Sequence, residues 1–180
     1  MARTESTMLA LNTLAADFKL LNPCNDKHVS FADCEGGKGT LVMFICNHCP
    51  FVKHVHDELI QLATDYQAKG IAFIAINAND IQSYPADAPD KMKEMGYPFP
   101  YLFDATQETA KAYQAACTPD FYVFDQGLKC VYRGQLDDSR PGNNIPVTGH
   151  DVRAALDAVL AGKAVNPDQK PSIGCNIKWK

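Results

Sequence analysis

The 180-residue sequence has no unbroken apolar run near the roughly 18 residues of a membrane span, so no membrane association is expected. It has no excess of basic charge either, since 17 Lys and Arg against 21 Asp and Glu leave a net charge of −4. A protein built to neutralise phosphates carries a basic patch or stripe, so nucleic acid is not expected as a partner. A glycine-rich phosphate loop, H-E-x-x-H and G-x-S-x-G are all missing. Their absence removes the usual marks of nucleotide, zinc-peptidase and serine-hydrolase chemistry, and no cofactor is expected. The opening stretch MARTESTMLALNTLAADFKL also lacks the apolar segment and small-residue cleavage site of a secretory leader. A reducing, cytoplasmic compartment is therefore the expectation.

Cysteine, by contrast, is plentiful. Seven cysteines in 180 residues exceed casual usage but fall short of the roughly 8–10% of a disulfide scaffold. An odd number cannot pair completely within one chain. In a reducing compartment such residues are buried hydrophobes, metal ligands or redox thiols. With 46% hydrophobic and 21% charged residues, the length suits one domain over residues 1–180.

Strand and helix patterns alternate along the chain, which predicts an α/β architecture. The apolar runs 41–45 (LVMFI) and 71–76 (IAFIAI) read as buried central strands. Between them Phe51, Val52, Val55, Leu59, Leu62 and Tyr66 recur at spacings of three and four after Pro50, which predicts a helix over 50–67 closed by Gly70. The three form one βαβ unit. Further helical stretches are expected over 84–96 and 106–116, a hairpin from 121–124 and 130–132 about the turn 125–127, and a last helix over 151–160.

The first strand runs into its helix through Cys46-Asn47-His48-Cys49-Pro50. A helix N-terminus presents unpaired N–H groups and about half a positive charge, which favours a thiolate there. Two intervening residues let two such thiols close a short disulfide, and C-x-x-C beside a βαβ pattern marks a thiol-redox site. His48 adds either a hydrogen bond or a charge that lowers the pKa of Cys46, or it is a bystander in an exposed turn. A zinc site would join Cys46 and Cys49 to His54 or His56, but these histidines, two apart on a helix, cannot face one partner together.

Farther on, Cys117-Thr118-Pro119-Asp120 precedes the strand FYVF. Proline at a strand entrance marks a deliberate backbone shape, a cis peptide among the options. A strand, a C-x-x-C opening a helix, a second strand, an X-Pro before a hairpin and a final helix resemble the thioredoxin superfamily. The stretches Ala16-Asp17-Phe18-Lys19-Leu20 and Val29-Ser30-Phe31-Ala32-Asp33 are similar to the redoxin branch, which includes peroxiredoxins and TlpA- and ResA-like oxidoreductases. The CNHCPFVKH motif and the tail Ser172-Ile173-Gly174-Cys175-Asn176-Ile177-Lys178-Trp179-Lys180 resemble an AhpC/TSA subgroup of bacterial thioredoxin-like proteins.

The resemblance implies a thioredoxin fold: a central mixed β-sheet flanked by helices, with an N-terminal extension, an insertion over about 77–103, a core of about 14–162 and a tail of 163–180. It also implies a cis Thr118–Pro119 bond whose loop holds substrate backbone against Cys46. The expected activity is thiol–disulfide exchange with protein or small-molecule disulfides and a thiol reductant, Cys46 attacking and Cys49 resolving. The couple is expected to be more oxidising than a thioredoxin, at about −270 mV.

Two other readings stand beside this one. The first is an antioxidant thiol peroxidase, which is weakened because Val42 and Cys46 fall where peroxiredoxins carry Pro and Thr, and because Arg133 is the first arginine after Pro119. The second is a non-catalytic binding module holding zinc or a partner. Cys117 reads as an auxiliary thiol or a buried residue, and Cys175 as part of a tail that covers the site or merely straps the terminus. Cys24, Cys34 and Cys130 read as structural or incidental, and residues 137–140 as a solvated loop. The oligomeric state has no signature.

Overall fold

The structure, a computed structural model, describes residues 3–180. Its first elements are β1 (Arg3–Glu5), β2 (Lys19–Asn22), β3 (Lys27–Ser30), α1 (Phe31–Cys34), β4 (Gly39–Phe44), α2 (Pro50–Tyr66) and β5 (Ile71–Asn77). After them come α3 (Pro89–Met92), β6 (Tyr101–Phe103), α4 (Glu108–Ala112), β7 (Cys117–Thr118), β8 (Asp120–Asp125), β9 (Cys130–Gly134), α5 (His150–Leu160) and β10 (Ile173–Asn176).

The two apolar runs become the middle of a seven-stranded sheet ordered β3-β2-β6-β5-β4-β8-β9. All of β4 is buried, because it is covered on both faces and paired on both edges, parallel to β5 and antiparallel to β8. Alternate side chains serve opposite layers. Leu41 and Met43 join Val52, Val55, Leu59 and Leu62 of α2 and Val152 and Leu156 of α5. Val42 and Phe44 face Phe18, Phe31, Tyr113 and Phe124. Each fully buried side chain of this size contributes about 1.5–3 kcal/mol. The helix predicted over 50–67 spans Pro50–Tyr66, with Pro50 in its first turn. Gly70, at φ +100, turns the chain into β5.

Two helical expectations change. Residues 84–96 form short turns about α3 rather than one helix, because Pro85 and Pro89 lack N–H donors and restrain the residues before them. The helix expected over 106–116 is confined to Glu108–Ala112. Gln107 takes a left-handed conformation and donates to the carbonyls of Ala78 and Lys178. In both places tertiary contacts override local periodicity.

The tail belongs to a second, three-stranded sheet ordered β1-β10-β7. Cys175 lies opposite Arg3 on one side and Thr118 on the other. Gly174 has no side chain to spare here, since a Cβ would sit 2.0 Å from the Thr118 carbonyl oxygen. The N–H of Ile177 donates to Ala116 O at 3.0 Å, and the Ser172 hydroxyl to Pro119 O at 2.5 Å. The strap is thus tied to the segment on either side of Pro119.

Candidate redox site

β4 and α2 place the two motif cysteines at the C-terminal edge of the central sheet. Cys49 is the N-cap of α2, and its carbonyl accepts from the N–H groups of Val52 and Lys53. The Thr118–Pro119 peptide is cis, and its loop brings Thr118 against both thiols. The Cys46 sulfur is 3.4 Å from the Thr118 hydroxyl, and the Cys49 sulfur is 3.4 Å from the Thr118 carbonyl oxygen. Cys46 and Cys49 thus share Thr118 as a common neighbour. Cys175 closes the other side, its sulfur 2.8 Å from that of Cys49. Cys46 and Cys49 are equally enclosed, with 1% and 0% of their surface exposed, so Cys46 is not the more accessible thiol.

The electrostatics favour charge on Cys49. The neighbouring Cys46 thiol, opposed by burial and helped by the Cys175 thiol and the Val52 N–H, holds Cys49 below an ordinary thiol. The same proximity to Cys49, with burial and the nearby Asp87 carboxylate, pushes Cys46 up. Burial and the contact with Cys49 raise Cys175 to about 12. A buried carboxylate thus faces the first thiol, and the Cys175 thiol and the helix start face the second.

Asp87, 38 residues after Cys49 in the insertion between β5 and β6, had no motif to announce it. Its carboxylate accepts from the backbone N–H groups of Asn47 (2.8 Å) and His48 (3.2 Å), from Asn79 Nδ2 (2.8 Å) and from the His48 ring at 2.6 Å. His48 is thus bound to Asp87, stacked on Tyr84 at 5.0 Å between ring centroids, and makes no hydrogen bond to either thiol. Its Nε2 is buried without a partner among the described residues. Asn47 is fixed as well, donating to Ala86 O and accepting from the Tyr101 hydroxyl. Asn79 links this hub to the tail by accepting from the Lys178 N–H at 2.9 Å.

Cys46, His48 and Asp87 bring ligand atoms within 4.8 Å of one another. Four donors already occupy the four lone-pair directions of Asp87, so the group does not suit a metal ion. His54 bonds the Ser139 hydroxyl and His56 the Tyr97 hydroxyl, and neither joins the cysteines. Arg133 is committed to Leu9 O and Gln169 Oε1. Cys117 is buried beneath the loop, its sulfur 3.8 Å from Pro119 O, and burial raises its pKa. Cys130 is in the core, Cys34 half-buried and Cys24 exposed.

The loop read as solvated is folded inward. Asp137 and Ser139 are buried, and Asp137 accepts from the N–H groups of Ser139, Thr148 and Gly149 ahead of α5. The backbone edge at Thr118, expected to hold substrate, is filled by β10. The cleft beside Pro119, lined by Phe51, His54 and Arg140, has a volume of only about 10 Å³.

Asp120, next to Pro119, is fully enclosed and accepts from the Ser6 and Tyr122 hydroxyls and the Phe121 N–H. Burial raises it from an ordinary 3.8 to about 7. As pH rises past 4 the unfolded chain loses this proton while the folded protein keeps it. Stability on this account falls between pH 4 and 7, by up to about 4 kcal/mol, and levels off above. Urea midpoints against pH are expected to flatten over that range in Asp120→Asn, and an unchanged slope would contradict the assignment.

The AhpC/TSA family model matches residues 11–133, more than half of the chain. No curated protein matches the sequence. Among solved structures, the chain is similar to an uncharacterized conserved protein from Geobacillus kaustophilus, at 60% identity and TM-score 0.98 over 100% of this chain and 97% of that one. It is similar to a hypothetical protein from Sinorhizobium meliloti 1021 at 48% identity and TM-score 0.95, over 98% of each chain. The thioredoxin domain of a thiol-disulfide oxidoreductase from Bacteroides vulgatus shares the fold, at 18% identity and TM-score 0.61 over 72% of this chain and 91% of that one. No helix is long and apolar enough to cross a membrane among the described residues. With the matched segment running from ahead of β2 into β9 and containing both motif thiols, the chain belongs to the AhpC/TSA family and is built on a thioredoxin-like fold.

Proposed function

We propose that the protein is a thiol–disulfide oxidoreductase whose Cys46 and Cys49 exchange a disulfide with thiol and disulfide substrates in a reducing, cytoplasmic compartment. The observation that carries this reading is the pair itself: two thiols three residues apart in the turn that leads into α2, with Thr118 against both sulfurs. Attack is assigned to Cys49, where the Cys46 and Cys175 thiols favour a thiolate, in place of the attack by Cys46 that the resemblance implies.

In the first step the Cys49 thiolate attacks a substrate disulfide, forming a Cys49 mixed disulfide and releasing one substrate thiolate. That thiolate takes the proton of Cys46. Cys46, now a thiolate, attacks Cys49, closes the Cys46–Cys49 disulfide and expels the second substrate thiolate. Each turn oxidises the dithiol and reduces one disulfide, and an external thiol reductant reverses the change. Stabilising the thiolate stabilises the reduced form, so the couple lies above thioredoxin's potential of about −270 mV. The role of His48 is positional: bound to Asp87, it holds the Cys46–Cys49 turn.

Exchange with a neutral small disulfide is expected to reach its plateau well below the midpoint of an ordinary thiol, because the neighbouring thiols favour the Cys49 thiolate. A rise centred near pH 8.5, that of an ordinary thiol, would contradict the assignment. Parallel assays of disulfide reduction and peroxide consumption test the activity itself. Faster turnover of peroxide would favour the peroxidase.

A further inference from the structure

Cys49 has a thiol on each side. Cys46 belongs to its own motif, but Cys175 arrives from the end of the chain, and its 2.8 Å approach is close to the roughly 2.05 Å of a covalent sulfur–sulfur bond. The approach is built in. Pairing of β10 with β7 sets Cys175 opposite Thr118, the residue that also touches both motif sulfurs. Gly174 lets the two backbones close together, and Ser172 and Ile177 tie the strand on either side of the cysteine. β10 therefore lies as a strand along the site and presents a thiol to it.

We propose, on the basis of the Cys46–Cys49 reading, that Cys175 is a third redox thiol and that the disulfide moves from Cys46–Cys49 to Cys49–Cys175. Cys175, as its thiolate, attacks the Cys49 sulfur. The Cys49–Cys175 bond forms, the Cys46–Cys49 bond breaks, and Cys46 leaves as a thiolate that takes up the proton Cys175 gave away. The protein stays oxidised by two electrons throughout, so the step consumes no oxidant or reductant. Its consequence is regulatory: Cys46 returns to the thiol form while β10 becomes covalently fastened across the site. Reopening follows when Cys46 returns as a thiolate to attack Cys49, or when an external thiol reduces the Cys49–Cys175 bond.

The test is disulfide mapping by mass spectrometry after equilibration of the full-length protein with oxidised glutathione. Cys46→Ser is expected to lose two free thiols and to yield the Cys49–Cys175 peptide pair, and Cys46→Ala, a second variant guarding against a folding defect, to do the same. The wild type is expected to give both pairs, and Cys175→Ser the Cys46–Cys49 pair alone. Free or merely glutathione-capped Cys49 and Cys175 in both Cys46 variants would overturn the relay. A Cys175→Ser protein that forms no Cys46–Cys49 bond would instead overturn the underlying redox pair, so the two failures are separable.

Discussion

Replacing Cys49 with serine is expected to remove disulfide exchange almost entirely, by about 10³-fold or more, as removal of an attacking nucleophile does. Cys46→Ser is expected to cost less, about 10- to 100-fold, because Cys49 keeps its Val52 and Cys175 contacts and Cys175 remains as a resolving thiol. The asymmetry follows from where the charge rests. Cys49 lies beside the Cys46 thiol, the helix start and the Cys175 thiol, which favour its thiolate, whereas Cys46 faces the Asp87 carboxylate, which opposes its ionisation. Reduction of a protein disulfide by each variant, with urea midpoints to show equal folding, checks the order. A Cys49→Ser variant that traps substrate on Cys46 while Cys46→Ser is inert would return the attacking role to Cys46.

The second large effect is expected at Gly174. Even alanine places a Cβ 2.0 Å from the Thr118 carbonyl oxygen, and a backbone atom cannot swing aside as a flexible side chain does. β10 must then withdraw from β7, with loss of the pairings at Cys117 and Thr118 and of the Cys175–Cys49 contact. Gly174→Ala is expected to cost about 2–4 kcal/mol. At about 2–4 °C per kcal/mol for a chain of this size, the Tm falls by roughly 5–15 °C. The same withdrawal removes a donor from Cys49 and uncovers it, so its pKa rises and its alkylation accelerates. Trp179, the only tryptophan and 43% exposed in the wild type, reports the movement by fluorescence. A Gly174→Ala protein with unchanged Tm and unchanged thiol reactivity would show that the tail is not held as described.

The parts of this architecture that were legible in the sequence are those in which burial repeats a period or a residue carries its own backbone constraint. The runs at 41–45 and 71–76 became β4 and β5 because continuous apolarity admits only a doubly covered strand. Pro50 and Gly70 bracket α2 and the turn that follows, because their backbones impose the boundary themselves. The thiol pair was visible for the same local reason: it lies within four residues. What stayed hidden depends on segments distant in sequence. Asp87 sits in a polar stretch whose pattern suggests an exposed helix, and only the fold of the insertion carries its carboxylate beneath His48. Asp137 is one acid in an acidic loop until the turn ahead of α5 supplies the N–H groups it accepts from. In the sequence Cys175 is a cysteine in a tail, and pairing of β10 with both β1 and β7 decides that it meets Cys49. The site is therefore three layers from three places, a local motif, an insertion and a terminal strand, and periodicity speaks only for the first.

The insertion and the tail also limit what reaches the thiols. Both motif sulfurs are enclosed, the edge at Thr118 is taken, and the cleft beside Pro119 has room for about one water molecule. A small disulfide or a partial withdrawal of β10 fits this geometry better than direct docking of a folded protein.

The central claim is that Cys46 and Cys49 form a redox couple. The most direct test is to equilibrate Cys175→Ser across a series of glutathione buffers, quench with acid and map the remaining free thiols. The Cys46 and Cys49 thiols are expected to be lost together, in a two-electron transition with its midpoint above about −270 mV. Cys46 and Cys49 that stay free across the series, or that oxidise separately, would contradict it.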